Sequence, residues 1–191
     1  MELNAFVVYN AIRKANRSNI LFCLLNALGV TAQTYLETGN YKSLCGSVNL
    51  GGIKCSDNWL NGTIPWSTKR CLNLSTQEFY GKEYNDVKAG FRWYDSLKTY
   101  LQDHARLVYK FYPKSKRNPD CVWGYISGLY GKWATDPNYF VKLVDIIVQI
   151  SPELLGDNWL TALYKSYAVA QDRRLLTPKQ DFIINQKLRR Y

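Results

Sequence analysis

The chain has 191 residues, 47% hydrophobic and 21% charged, the composition of an ordered globular protein, which excludes a disordered one. A formal net charge of +10 favours anionic partners: nucleic acid, a membrane surface or an anionic cell-wall polymer. The cations are spread over 13–17, 69–70, 110–117, 173–174 and 187–190 without a nucleic-acid motif, so no nucleic-acid partner is expected.

Residues 3 to 14 read as a first amphipathic helix with Phe6, Val7 and Ile12 on its apolar side. Asn16 to Asn19 read as a turn, and Ser18 or Asn19 as the cap of the next helix. That helix is long and apolar: Leu21, Leu25, Leu28, Ala32, Tyr35 and Leu36 recur at three- and four-residue steps. Its first part imitates a secretory signal, but it lacks a small-residue cleavage site and is too short to span a membrane. It reads as a core helix, stopped by Gly39 and Asn40. Glu37 thus falls in the last turn, where the negative helix end and apolar neighbours push a carboxyl pKa upward. A raised pKa suits a general acid. A solvated surface carboxylate is the alternative reading. Gln33 lies one turn earlier on the same face.

From Asn40 to Thr68 no period survives, and Gly, Ser, Asn and Cys mark irregular chain. Arg70 to Thr76 and Val87 to Trp93 read as strands, joined by a connection that bends near Gly81 and carries Glu78 and Glu83. Asp95 or Ser96 caps a helix with Leu97, Leu101, His104, Val108 and Phe111 on one stripe. His104, the sole histidine, reads as a hydrogen-bonded core residue. Pro113 to Asp120 reads as a solvated basic loop, and 122–130 as a helix ended by Gly131. Asp136 and Pro137 form an N-cap and first-turn pair for a helix through Ile150, broken at Ser151–Pro152. Two further amphipathic helices follow, near Trp159 to Ala170 and from Thr177–Pro178.

The five cysteines, Cys23, Cys45, Cys55, Cys71 and Cys121, show no CxxC spacing, so no metal site and no cofactor are expected. Cys23 reads as a buried thiol. One disulfide among Cys45, Cys55 and Cys71 and a fully reduced chain both remain open. Fifteen Tyr and six Trp supply flat faces that suit a core or a groove on which sugar rings stack. The order of elements describes an α+β, predominantly helical chain. Its helical body and small β lobe bordering a groove resemble the lysozyme-like arrangement.

Four motifs then occur in one order: QTYLETG (Gln33 to Gly39), NLGGIK (Asn49 to Lys54), STQEFYG with KAGFRWYDS (Ser75 to Gly81, Lys88 to Ser96), and KWATDPNY (Lys132 to Tyr139). Together they resemble the peptidoglycan β-N-acetylglucosaminidases of glycoside hydrolase family 73, which include flagellar-rod and autolysin enzymes and extend to phage lysins. The resemblance covers about residues 20 to 150. It implies a glucosaminidase domain over 1–150 with a β lobe at about 49–93; the tail, 151–191, lies beyond the family's core domain, and the apolar faces of its two helices predict a helical extension packed on the same domain. It implies hydrolysis of the β-1,4 bond after N-acetylglucosamine, with Glu37 as the acid and Glu78 as the second carboxylate. Gln33, Asn49, Trp133 and Tyr139 fall at substrate-binding positions. Trp133 stands where the family has tyrosine, so a hydroxyl is missing there. Gly51 stands where it has a bulky aromatic, which is expected to open one edge of the cleft.

The partners implied are peptidoglycan strands and anionic wall polymers, with no membrane span. Action is expected at the bacterial wall, reached through a phage particle, a lysin route or a secretion assembly. Two glycan chemistries compete with the leading one, N-acetylmuramidase and lytic transglycosylase. A non-catalytic wall-binding or nucleic-acid-binding protein is the more distant alternative.

Overall fold

The computed structural model describes residues 2–18, 25–44, 47–80 and 83–191, and for 77–80 and 84 the backbone alone. Cys23, Cys45 and Gly81 lie outside the described residues.

Helix α1 (Ala5–Ser18) carries the first amphipathic pattern. It runs through Asn16 to Ser18 of the stretch read as a turn, so Ser18 ends a helix and does not cap one, and Asn19 lies outside the described residues. Helix α2 (Ala27–Glu37) starts later than expected, at Asn26, whose side chain accepts the Gly29 N–H at 2.8 Å. Every residue from Leu28 to Thr34 is buried, because α2 threads the middle of the body and packs on α1 and on helices α6 (Val122–Leu129) and α7 (Tyr139–Leu155). Its hydroxyls are satisfied within the helix: Thr31 Oγ1 donates to the Ala27 carbonyl and Thr34 Oγ1 to the Thr31 carbonyl. Gly29 lets α6 come close, since a Cβ there would lie 2.8 Å from the Tyr125 ring.

Between α2 and β1 (Cys71–Tyr80) the chain is irregular except for α3 (Asp57–Leu60), one turn capped by Ser56. β1 pairs antiparallel with β2 (Glu83–Arg92), in register from Cys71 opposite Arg92 to Tyr80 opposite Glu83. The strands are therefore longer than the apolar alternation indicated. Their distal halves pair through the backbone while exposing Glu83, Asn85 and Asp86. The Cys55–Cys71 disulfide ties the irregular segment to the base of this hairpin.

Helix α4 (Leu97–Phe111) follows, capped by Ser96. The supposed basic loop opens with a helical turn, α5 (Pro113–Lys116), because proline with its fixed φ suits the first helical position. The Asp136 carboxylate accepts the Asn138 N–H at 2.8 Å, so it forms a turn before α7, which begins two residues later than expected. Nor does Pro152 break α7. The helix carries it in its last turn and is ended by Gly156 at φ 68°. Helices α8 (Trp159–Asp172) and α9 (Pro178–Leu188) pack on α7, with Leu163, Ile184 and Leu188 fully or nearly fully buried. No described helix is long and apolar enough to cross a membrane.

Candidate active site

A groove of about 530 Å³ runs between the hairpin and the helical body. Glu37 reaches it from the end of α2, and Asn49 and Gly52 from the irregular segment. Trp133 to Asp136 contribute from the α6–α7 connection. The hairpin presents Leu72, Leu74, Thr76 and Phe91 to the groove. Phe91 faces Leu72 across the strands. Of the alternating set Val87, Ala89 and Phe91, Phe91 lines the groove; the next residue, Arg92, is buried at its edge, and Tyr94 is buried in the core.

A strained turn sets the end of α2. Gly39, Asn40 and Tyr41 all have φ near +60°, a conformation costing about 1–2 kcal/mol for each residue other than glycine. Tyr41 offsets it by burying its ring, with its hydroxyl 2.9 Å from Thr34 Oγ1. The chain therefore reverses just after Glu37, and its carboxyl is left at the groove.

Glu37 is exposed into the groove but crowded by protein on its other sides. Burial pushes its pKa up to about 7, against the opposing effect of the Tyr139 hydroxyl and of the Trp133 indole beside it. The Tyr139 hydroxyl donates to Glu37 Oε1 at 2.9 Å. Gly52, at φ 57°, passes close by: a Cβ there would lie 3.6 Å from Glu37 Oε2. The carboxyl is thus fixed in direction and disposed to keep its proton near neutral pH. Asp136 lines the same groove with the opposite bias. Burial works against its charge, but Lys142, at 2.6 Å, and the Asn138 N–H hold its pKa below the usual value.

The remaining expected site residues divide. Trp133 lines the groove beside Glu37 and brings an indole where the tyrosine hydroxyl is missing. Asn49 lines the groove, yet its amide is engaged within the protein. It accepts the Ile53 N–H and donates to the Ile53 and Arg92 carbonyls. Tyr139 is 3% exposed and meets Glu37 from within the body. Gln33 was expected to face the groove but is fully buried, and neither atom of its amide has a hydrogen-bond partner among the described residues. Gly51 does not open the cleft: a Cβ there would meet the Tyr100 hydroxyl at 2.8 Å and Trp133 at 3.2 Å. The space belongs to those two rings. Glu78 sits on β1 opposite Asn85; its side chain lies outside the described structure.

One group escaped sequence reasoning. Asp103, fully buried on α4, accepts from Arg92 Nη1 at 2.5 Å, the Tyr94 hydroxyl at 2.6 Å and Arg106 Nε at 3.0 Å. Arg92 Nε also donates to the Lys54 carbonyl at 2.9 Å. This cluster joins the base of the hairpin to the body. Its signal was an arginine at the end of an apolar strand and an aspartate beside the apolar stripe of the next helix. No group of metal-ligating side chains occurs among the described residues.

Residues 22–152 match the family model described as mannosyl-glycoprotein endo-β-N-acetylglucosaminidase. The chain belongs to this glucosaminidase family. The family's members are glycoside hydrolases, so this glucosaminidase is an enzyme. Among solved structures it is similar to a mutant of a peptidoglycan hydrolase from Sphingomonas sp. A1, with 28% identity and a TM-score of 0.61 over 84% of this chain and 98% of that one. The truncated glycoside hydrolase domain of FlgJ from Salmonella typhimurium shares the fold at 23% identity and a TM-score of 0.53, over 75% and 92% of the two chains. The catalytic domain of the autolysin Auto from Listeria monocytogenes shares it at 23% identity and a TM-score of 0.51, over 74% and 84%. No curated protein sequence matches the glucosaminidase significantly. The neighbours have the same predominantly helical, lysozyme-like architecture with a small β lobe.

Proposed function

We propose that the glucosaminidase hydrolyses the β-1,4 bond after N-acetylglucosamine in bacterial peptidoglycan, with Glu37 as general acid. The observation that carries this reading is a groove-facing carboxyl held by the Tyr139 hydroxyl and shifted upward to about 7. Similarity to the Sphingomonas peptidoglycan hydrolase over most of both chains supports the choice of glycan.

Glycosidic cleavage needs a proton on the leaving oxygen and stabilisation of an oxocarbenium-like centre. A carboxyl that stays protonated near neutrality supplies the first. For the second we assign Glu78, which β1 carries on the β lobe. A carboxylate separation of about 6.5–9.5 Å leaves room for an attacking water and gives inversion, whereas about 5–5.5 Å gives a covalent intermediate and retention. The substrate's own N-acetyl group is a third route, with Glu78 assisting. Trp133 and Asn49 contact the glycan along the groove, and Tyr139 holds the acid. The +10 charge draws the enzyme to anionic wall polymers at the bacterial wall, an attraction that salt screens.

Reduction of digested peptidoglycan with borohydride tests the bond cleaved. New N-acetylglucosaminitol ends are expected. New muramitol ends would identify a muramidase, and 1,6-anhydro ends a lytic transglycosylase; either result contradicts the proposal.

A further inference from the structure

The basic segment after α4 has no part in the chemistry above, yet it is built as a fixed surface. From Ala105 to Pro119 the chain holds five cations and no acid. Arg106 is taken up by Asp103, which leaves Lys110, Lys114, Lys116 and Arg117. Asp120, the next acid in the chain, is engaged by Arg173 at 2.8 and 3.0 Å. A solvated loop needs no anchor, but this one has several. Ser115 is fully buried, and its hydroxyl donates to the Tyr125 carbonyl at 2.8 Å. Gly128 makes room for it, since a Cβ there would collide with the Ser115 backbone. The Asn118 amide donates to the Lys114 carbonyl and the Asn26 amide to the Pro119 carbonyl, both at 2.8 Å. Lys110, Lys114 and Arg117 are exposed around these anchors. Lys116 Nζ lies 3.6 Å from the centre of the Tyr109 ring, which joins the cations of α5 to the end of α4. Tyr112, between them, packs on Trp133 of the groove at 5.3 Å. The surface thus begins beside the groove.

We propose that Lys110, Lys114, Lys116 and Arg117 form a docking surface for a phosphodiester-linked polymer of the bacterial wall, seated beside the groove. This rests on the reading of the protein as a wall glycan hydrolase and gives part of its +10 charge a place to act. A run of cations with no acid among them suits a chain with a negative charge on every repeat and none of opposite sign. The peptide stems of the glycan carry amines as well as carboxylates, so they match it less well. Nucleic acid is a phosphodiester too, but single strands are held by bases stacked on open aromatic faces. Here Lys116 covers the Tyr109 ring and Lys110 lies over Phe111 at 5.2 Å. The anchored backbone presents the four cations together without the cost of ordering a loose loop on binding.

The test is cosedimentation of Glu37→Gln, used so that the walls are not digested, with purified walls that retain their phosphodiester polymer and with the same walls stripped of it by hydrofluoric acid. Retention on native walls is expected to be at least about tenfold stronger than on stripped walls, and to fall more steeply with salt. Adding Lys110→Ser, Lys114→Ser, Lys116→Ser and Arg117→Ser together should bring native walls down to the stripped-wall level and leave stripped walls unaffected. A control of equal net charge, with Lys14→Ser, Arg17→Ser, Lys179→Ser and Arg190→Ser, should keep most of the binding. If the fourfold patch variant does not fold, Lys114→Ser with Arg117→Ser removes two exposed cations and is expected to cost about threefold or more on native walls alone. Equal retention of the parent on both walls, a patch-variant loss that is the same on both, or an equal loss in the control would overturn the docking surface. So would a loss seen only on phosphatidylglycerol vesicles or single-stranded DNA. With Glu37 intact, the patch variant should release N-acetylglucosaminitol ends from stripped walls at the parent rate. Failure of the parent itself to release them would overturn the hydrolase reading, whichever walls retain the protein.

Discussion

Glu37→Gln is expected to lower kcat on purified peptidoglycan by roughly 10²- to 10⁴-fold, the usual contribution of a positioned acid. The amide has nearly the shape of the carboxyl and can still accept the Tyr139 hydroxyl bond, so groove and fold should survive. What is lost is the proton for the leaving oxygen, an interaction made in the transition state. The loss should therefore appear in kcat and kcat/KM together, with KM little changed. Turbidity clearing of wall suspensions and quantification of released ends measure it. A Glu37→Gln variant within a few-fold of the parent would remove Glu37 from the mechanism.

The second large effect is expected at the buried cluster under the hairpin. Asp103→Ala removes the carboxylate on which Arg92, Tyr94 and Arg106 converge. Arg92 is 5% exposed, so its guanidinium would be left without its counter-ion in the interior. Breaking a buried pair from one side typically costs about 3–5 kcal/mol, a large fraction of the stability of a domain. Urea unfolding followed by circular dichroism should show the loss as a lower midpoint. Activity should fall as well, because Arg92 closes the base of the hairpin and lines the groove. Asp103→Asn keeps one acceptor and should be milder. Equal stability of Asp103→Ala and the parent would show that the cluster carries no net weight.

The sequence revealed those parts of this molecule that depend on periodicity and local stop signals. The end of α2 was legible because Gly39 and Asn40 follow an apolar run. So was the special environment of Glu37, since a carboxyl at the negative end of a mostly buried helix is unfavourable wherever it occurs. The hairpin was legible only at its base, where Leu72, Leu74 and Phe91 alternate. Its distal half pairs beyond the alternating residues, and backbone pairing leaves no side-chain period to read. That same alternation was open to misreading, because an apolar face can line a groove as easily as a core. Gln33 shows the limit of helical spacing. Its four-residue offset from Glu37 gave a shared face, but the offset also carries it one turn deeper into the body. Gly51 was read against what other sequences hold at that place, whereas its environment is set by Tyr100, forty-nine residues away, and Trp133. Asp103 and Arg92 meet only through the tertiary fold, so each stood beside an apolar stretch without showing that the two pair.

The most direct test of the central claim is the titration of the Glu37 carboxyl in the unmodified enzyme. A folded-state pKa of about 7 means that Glu37 holds its proton across the window from 4.5 to 7 in which the unfolded chain has released it. Its contribution to stability is then complete below 4.5 and declines as pH rises through 7, and the alkaline limb of kcat/KM should fall in the same region. A carbon-13 midpoint near 7, with the alkaline limb of hydrolysis tracking it, is the result expected. A midpoint near 4.5 would leave the carboxyl ionised under working conditions and contradict its role as the acid.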